Sequence, residues 1–425
     1  SLGLVGSEMC IRDRYIIMLS KTQIIRKDLH MNILIYRYGS ICEPDVITGF
    51  QTLGNHVSEI TTEIYNKNLS PSEGVTILKN ELLASNYDFV FSINFFPFIS
   101  EVCSIFKIRY ICWTVDCPVM ELYSNSIQNP WNRIFMFDRA QYEEFYAQNP
   151  SGIFYLPLAS NPARWESVIA NASAKDIDKY SSDVSFVGSL YTEKSAYSHL
   201  RNASDYLTGY LDGIMAAQQD IYGSYFLEDV LPDSIVSEFR EHFPNFYTAP
   251  EPSFCTDRIT LAQLYLGTEI SARERVATMK SLGSHYPIDL YTGSDTRGLP
   301  VHNKGLAKTL TEMPLIFHFS KINLNITSKS IRTGLPLRIF DILGCGGFCL
   351  TNYQSELADY FTIGQDLECY TDANDLSEKV TYYLSHEEER AEIARNGFET
   401  VQKYHNYPER LLQMLTLAYN IKEDK

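Results

Sequence analysis

Hydrophobic positions along this 425-residue chain gather into short, almost unbroken apolar runs separated by longer amphipathic stretches. Met31-Asn-Ile-Leu-Ile-Tyr-Arg-Tyr-Gly39 reads as a buried strand ending in a glycine turn, followed by a helix over 43–53. Residues 57–63 predict a second strand, 73–85 a helix, and Tyr87-Asp-Phe-Val-Phe-Ser-Ile-Asn94 a third strand. Helix 98–107, strands 109–115 and 133–137, helix 138–147 and strand 153–156 continue the series. Near-continuous apolar strands alternating with helices predict a parallel sheet covered on both faces.

The stretch 160–180, rich in Ala, Ser, Asn and Asp, interrupts this rhythm and reads as an interdomain segment. Strands resume at Asp183-Val-Ser-Phe-Val-Gly-Ser-Leu190, 287–292, 322–326, 348–351 and 367–370, with helices predicted at 336–344, 354–360 and 373–385 and a helical tail over 387–418. The predicted organisation is a lead of foreign or appended residues over 1–30, a Rossmann-like domain over 31–165, a linker over 166–182, a second Rossmann-like domain over 183–386 with a helical insertion at 194–282, and a tail over 387–425. Two such domains in series face a cleft, and ligands of these sheets sit at the C-terminal ends of the strands.

Composition narrows the function. Net charge is −16, from 36 Lys and Arg against 52 Asp and Glu, which disfavours nucleic acid and anionic membrane surfaces as partners. No run reaches the roughly 18 apolar residues of a spanning helix. Nine scattered Cys with no CxxC fit a reduced, cytoplasmic protein. The nine His form no HExxH and no close pair, so a metal site is not expected.

The densest chemistry lies between Ser320 and Gly347. Asn323 and Asn325 alternate with apolar residues on a strand, Lys321 precedes them, and Arg332, Gly334, Leu335 and Pro336 lead into a helix carrying Arg338 and Asp341. A helix start with unpaired N–H groups can hold a diphosphate, and Arg332 or Arg338 can clamp it. Asp341 can accept hydrogen bonds from ribose hydroxyls. The same spacing also describes an ordinary helix start with an Asp341–Arg338 salt bridge three residues apart. Gly188-Ser189 forms a second candidate phosphate turn, equally readable as a plain turn. Asp116, at the end of a buried strand, is a candidate general base, whereas Asp138 reads as a helix N-cap.

Several long motifs in order resemble the glycosyltransferase-like family related to the spore maturation protein CgeB, with the GT-B architecture: YICWTVDCP (110–118), IFMFDRAQYEEF (134–145), DVSFVGSLY (183–191), SKINLNIT (320–327) and GLPLRIFDILGCGGFCLTNY (334–353). The resemblance implies a nucleotide-sugar held by the C-terminal domain, an acceptor held by the N-terminal domain, a tail helix crossing back, and no metal or other cofactor. It also implies an acidic pair eight residues apart, of which Asp341 matches the second member; Thr333 stands at the first.

These readings converge on transfer of a sugar from a nucleotide diphosphate, UDP foremost, to a hydroxyl on a glycan, protein or small molecule. Asp116 serves as base, Asp341 holds the ribose, and Lys321, Arg338 and the amides near Gly188 and 334–338 take the leaving group. A nucleotide-sugar epimerase or hydrolase, and a binding protein that has lost its chemistry, are the alternatives.

Overall fold

The computed structural model describes residues 30–420, so nearly all of the expected lead lies outside the described residues. The first domain is a six-stranded parallel sheet of order β2-β1-β3-β4-β5-β6, formed by β1 (Asn32–Tyr36), β2 (His56–Ile60), β3 (Phe89–Ile93), β4 (Arg109–Trp113), β5 (Asn132–Met136) and β6 (Ile153–Tyr155). Its longer helices are α1 (Glu43–Thr52), α2 (Pro71–Ala84), α3 (Pro97–Phe106) and α4 (Arg139–Tyr146). Both faces are buried: Ile33, Ile35, Phe89, Phe91, Ile111 and Trp113 pack into one apolar cluster, and Leu34, Tyr36, Val90, Tyr110 and Cys112 into another. That two-residue alternation explains why the inner strands β1, β3 and β4 read as nearly continuous apolar runs, while edge strand β2 (HVSEI) is largely exposed.

The expected linker is itself structured, as α5 (Pro162–Ala170) and α6 (Ala174–Tyr180). A capping box in which Ser173 and Asp176 exchange bonds starts α6 and accounts for the polar composition there. The second domain is a parallel sheet of order β12-β11-β10-β7-β8-β9: β7 (Ser182–Val187), β8 (Ile288–Tyr291), β9 (His302–Asn303), β10 (Ser320–Asn325), β11 (Cys349–Asn352) and β12 (Glu368–Tyr370). Between β7 and β8 come α7 (Asp205–Gln219), α8 (Asp233–His242) and α9 (Gly267–Gly283), the last entered through a π-helical stretch, Thr260–Leu266. Then follow α10 (Met313–Phe319), α11 (Leu337–Gly344), α12 (Ala373–Ser385), α13 (Glu387–Tyr404) and α14 (Tyr407–Ala418).

The insertion has an apolar cluster of its own around Leu207, Leu211, Phe239 and Leu261, yet its Phe254, Cys255 and Ile259 pack on the first domain. The Asn125 N–H donates to the Pro252 carbonyl at 3.1 Å and the Ser253 hydroxyl to the Tyr123 carbonyl at 2.9 Å, fixing it there. The tail is two helices, α13 and α14, broken at His405–Asn406, where Asn406 caps α14 and Pro408 follows. α14 lies against α1 so closely that a Cβ on Gly49 would stand 2.6 Å from Leu411 Cδ1. One apolar cluster thereby runs from β1–β5 through Trp165 into α10, α11 and α14, joining the two domains.

Candidate functional site at the interdomain cleft

The C-terminal ends of both sheets meet between the domains. At the end of β4 the chain exposes Asp116, and Asn94 at the end of β3 holds it. Asn94 Nδ2 donates to Asp116 Oδ2 at 2.7 Å and to Tyr38 Oη at 3.0 Å, while its Oδ1 accepts from the Val115 N–H at 3.0 Å. Asn94 itself has φ 56°, a left-handed conformation that Asn tolerates. The next residue, Cys117, donates its thiol to the Ser330 carbonyl of the second domain at 2.7 Å, so Asp116 stands beside the domain junction.

Across that junction, β7 ends at Gly188, whose N–H donates to the Tyr291 carbonyl at 3.1 Å. The Ser189 hydroxyl donates to Glu193 at 2.6 Å. Arg275 reaches in from α9. Its Nη1 donates to the Ser189 carbonyl at 2.7 Å and its Nη2 to the Ile326 carbonyl at 2.5 Å, with the guanidinium 4.3 Å from the Tyr191 ring centroid. Its Nε is buried without a partner. Arg338, in the first turn of α11, lies over Phe317 at 5.3 Å. Burial lowers the pKa of both, and the charge of Arg338 lowers that of Arg275 further. Among the described residues, neither arginine has an acidic group within ion-pair distance. Pro336 is the N-cap of α11 and offers no side-chain cap. Arg275, Arg338, the helix start at Pro336 without a side-chain cap and the glycine turn at Gly188 supply positive charge and N–H donors of the kind a phosphate pair accepts.

The loop between β10 and α11 is committed to the first domain. Asp138, the N-cap of α4, also accepts from the Arg332 N–H at 2.6 Å and the Thr333 N–H at 3.2 Å. Thr333 Oγ1 donates to Asp138 Oδ1 at 3.1 Å and accepts from the Ala140 N–H at 3.0 Å. The Arg332 guanidinium pairs with Glu144 on α4, which occupies it and corrects its expected use as a phosphate clamp. Gly334 is pressed onto the same strand end: a Cβ there would meet Asp138 Cα at 2.8 Å and the Phe137 carbonyl at 2.9 Å. Leu335 is buried and anchors the loop.

Asp341 is buried and accepts from Ser160 Oγ at 3.2 Å. Burial pushes its carboxyl up to about 7, against the opposing pull of Arg338 and with a further push from Asp45. Buried Cys42 is raised to about 12, chiefly by burial, with smaller pushes from Asp341 and Asp116.

Two expected contributors lie elsewhere. Lys321 is exposed at the opening end of β10 and pairs with Asp183 at 2.7 Å, at the N-terminal end of the central strands, opposite the cleft. Asn323 is buried in mid-strand, where its Nδ2 donates to the Phe317 carbonyl at 2.9 Å and its Oδ1 accepts from Ser185 at 2.8 Å. Both serve the sheet. Arg275 and Asn94 do not emerge from sequence reasoning. The signal for Arg275 is present, since Glu274 and Arg275 fall on the buried face of α9 with Ile270, Met279 and Leu282. Among the described residues, no group of three or more His, Cys, Asp or Glu is placed to hold a metal ion, and no helix is long and apolar enough to cross a membrane.

Comparison with known proteins places this geometry. A family profile described as glycosyl transferase-like matches residues 270–416, from α9 into α14. No curated protein matches the chain. Solved structures similar to it include Anabaena Alr3699/HepE in complex with UDP-glucose (10% identity, 92% of this chain and 100% of that one, TM-score 0.50). Sucrose-phosphate synthase from Thermosynechococcus elongatus is similar over 92% of this chain and 99% of its own (12% identity, TM-score 0.50). A UDP-forming trehalose-phosphate synthase from Burkholderia xenovorans covers the same shares at 8% identity and TM-score 0.50. The chain has the GT-B glycosyltransferase-like fold.

Proposed function

We propose that this GT-B protein is a hexosyltransferase of the CgeB-like group, moving a sugar from a nucleoside diphosphate, UDP foremost, to a hydroxyl of a glycan, protein or small molecule. The observation that carries the reading is the Arg275 guanidinium, buried at the end of β7 with no ion pair among the described residues and with its Nε unsatisfied, to which half-buried Arg338 adds positive charge. A diphosphate there satisfies the free Nε of Arg275 and relieves the repulsion between the guanidiniums. The amides at the start of α11 and near Gly188 supply further donors, so the residues neutralise the leaving group without requiring a metal. Asp341 is assigned to the ribose.

In the transfer, the acceptor oxygen forms a bond to the anomeric carbon as the bond from that carbon to the diphosphate oxygen breaks, and the diphosphate leaves with the electron pair. Asp116 takes the hydroxyl proton, with Asn94 and Tyr38 fixing its orientation. The eight described cysteines are all free, which suits the cytoplasm. A solved structure of similar fold, Anabaena Alr3699/HepE, holds UDP-glucose, which supports the donor class.

Titrating the pure protein with uridine, guanosine and thymidine diphosphate sugars tests the proposal. Binding of one diphosphate series and slow hydrolysis without acceptor are expected, and absence of binding across the panel ends it. One observation favours a binding protein without chemistry: Thr333 spends its hydroxyl on Asp138 and the Ala140 N–H, at the position where the resemblance implies an acid. Tight diphosphate binding with no turnover on any acceptor would select that reading.

A further inference from the structure

We infer that a cavity of about 410 Å³ between the first domain and the insertion binds a cationic molecule with an aromatic or otherwise apolar body, and that this molecule is the acceptor. The assignment of the ligand as acceptor rests on the proposed transferase reading; the binding chemistry does not.

The cavity opens at the C-terminal edge of the first sheet. Tyr36, Phe96 and Phe98 form one wall, with ring centroids 5.5 Å apart for Tyr36–Phe96 and for Tyr36–Phe98. The insertion closes the other side with Tyr247 and the Pro250–Ser253 segment, held in place by the bonds to Tyr123 and Asn125. Four carboxylates line it. Glu63 accepts from the Tyr36 hydroxyl at 2.6 Å, and Glu251 accepts from the Ser253 N–H at 3.0 Å. Glu101 and Glu121 are exposed at the mouth. Among the described residues lining the cavity none is Lys, Arg or His.

Aromatic faces attract a cation through their quadrupole, and carboxylates at the mouth add to that attraction while repelling anions. The volume suits a small molecule. An ammonium on an apolar body satisfies both features together; a phosphorylated or carboxylated compound opposes the rim. The wall also leads to the reaction. Phe96 packs against Tyr38 at 5.5 Å, and Tyr38 shares Asn94 Nδ2 with Asp116. A molecule seated against Phe96 thus lies on the first-domain side of the candidate base, with the Phe96 and Tyr38 rings between the two.

Tyramine and 3-(4-hydroxyphenyl)propionate share a phenol and differ in the sign of the terminal charge. Calorimetric titration of the full chain with each, without any nucleotide, is expected to show tyramine binding tighter by about ten-fold or more. In the Glu101→Gln/Glu121→Gln double variant that preference shrinks while the melting temperature holds, since both side chains are exposed. Equal binding of the two probes, no binding of tyramine, or an unchanged preference in the double variant overturns the inference. Because no donor is present, a chain that binds tyramine but no nucleotide-sugar sinks the transferase reading and leaves the cationic site standing.

Discussion

Asn94 joins Tyr38 to Asp116 through a single amide nitrogen, 3.0 Å from the Tyr38 hydroxyl and 2.7 Å from the Asp116 carboxylate. If Asp116 takes the acceptor proton, Asp116→Asn lowers kcat by about 100-fold or more and leaves nucleotide affinity unchanged. Asn94→Ala, which frees the carboxylate to rotate, gives a smaller loss and a shifted pH profile of kcat. Steady-state rates and donor titrations on both variants decide it; equal loss of donor affinity would mean that Asp116 supports the fold instead.

Arg275 tests the diphosphate pocket. A charge-assisted hydrogen bond contributes about 1.5–3 kcal/mol, so Arg275→Gln weakens UDP by about 10- to 100-fold. Uridine, which lacks the phosphates, binds the variant as it binds the parent. Calorimetry with the two ligands separates this from a general loss of folding, in which both affinities fall together.

Asp341 makes stability depend on pH. Its carboxyl lies at about 7 in the folded chain against an ordinary 3.8, so between these values the folded state holds a proton that the unfolded chain has released. Stability therefore falls as pH rises through that window and levels off above it. Asp341→Asn removes the slope: little changes near about pH 4, and near about pH 8 the variant is more stable, by an amount on the order of a few kcal/mol. Urea unfolding at the two pH values reads the difference.

Placing an acid eight residues before Asp341 by Thr333→Glu is expected to fail. Glutamate cannot donate to Asp138, and its charge faces that carboxylate. The variant loses about 1–3 kcal/mol of stability and gains no activity. Thermal unfolding with a transfer assay checks both halves.

Gly334→Ala is expected to destabilise by about 1–3 kcal/mol, because the added methyl meets backbone at Phe137 and Asp138 that cannot step aside. A lowered melting midpoint is the readout; an unchanged one would show that the loop slides freely over the first domain.

Both parallel sheets are legible in the sequence because strands buried on two faces leave mostly apolar runs, unbroken in Ile33–Tyr36 and interrupted by one polar residue in Ile322–Leu324. β9 leaves no such trace: its two residues, His302 and Asn303, are exposed. In α10 the run MPLIFHF has no polar face to reveal a helical period. In the candidate site, strand polarity is the missing step for Lys321, since in a parallel sheet the opening end of β10 faces away from the cleft. The occupation of Arg332 and Thr333 by Glu144 and Asp138 joins positions nearly two hundred residues apart, which no local pattern records. Motif order, by contrast, locates α11 and its uncapped start from the GLPLR segment alone.

The insertion's grip on Tyr123 and Asn125 has a mechanical result. A hinge confined to the segment joining the sheets cannot swing the halves apart while this second strap holds, because the bridge would have to stretch or let go. Traffic in and out of the junction is thereby steered toward sliding or twisting of one half against the other, with the strap as pivot.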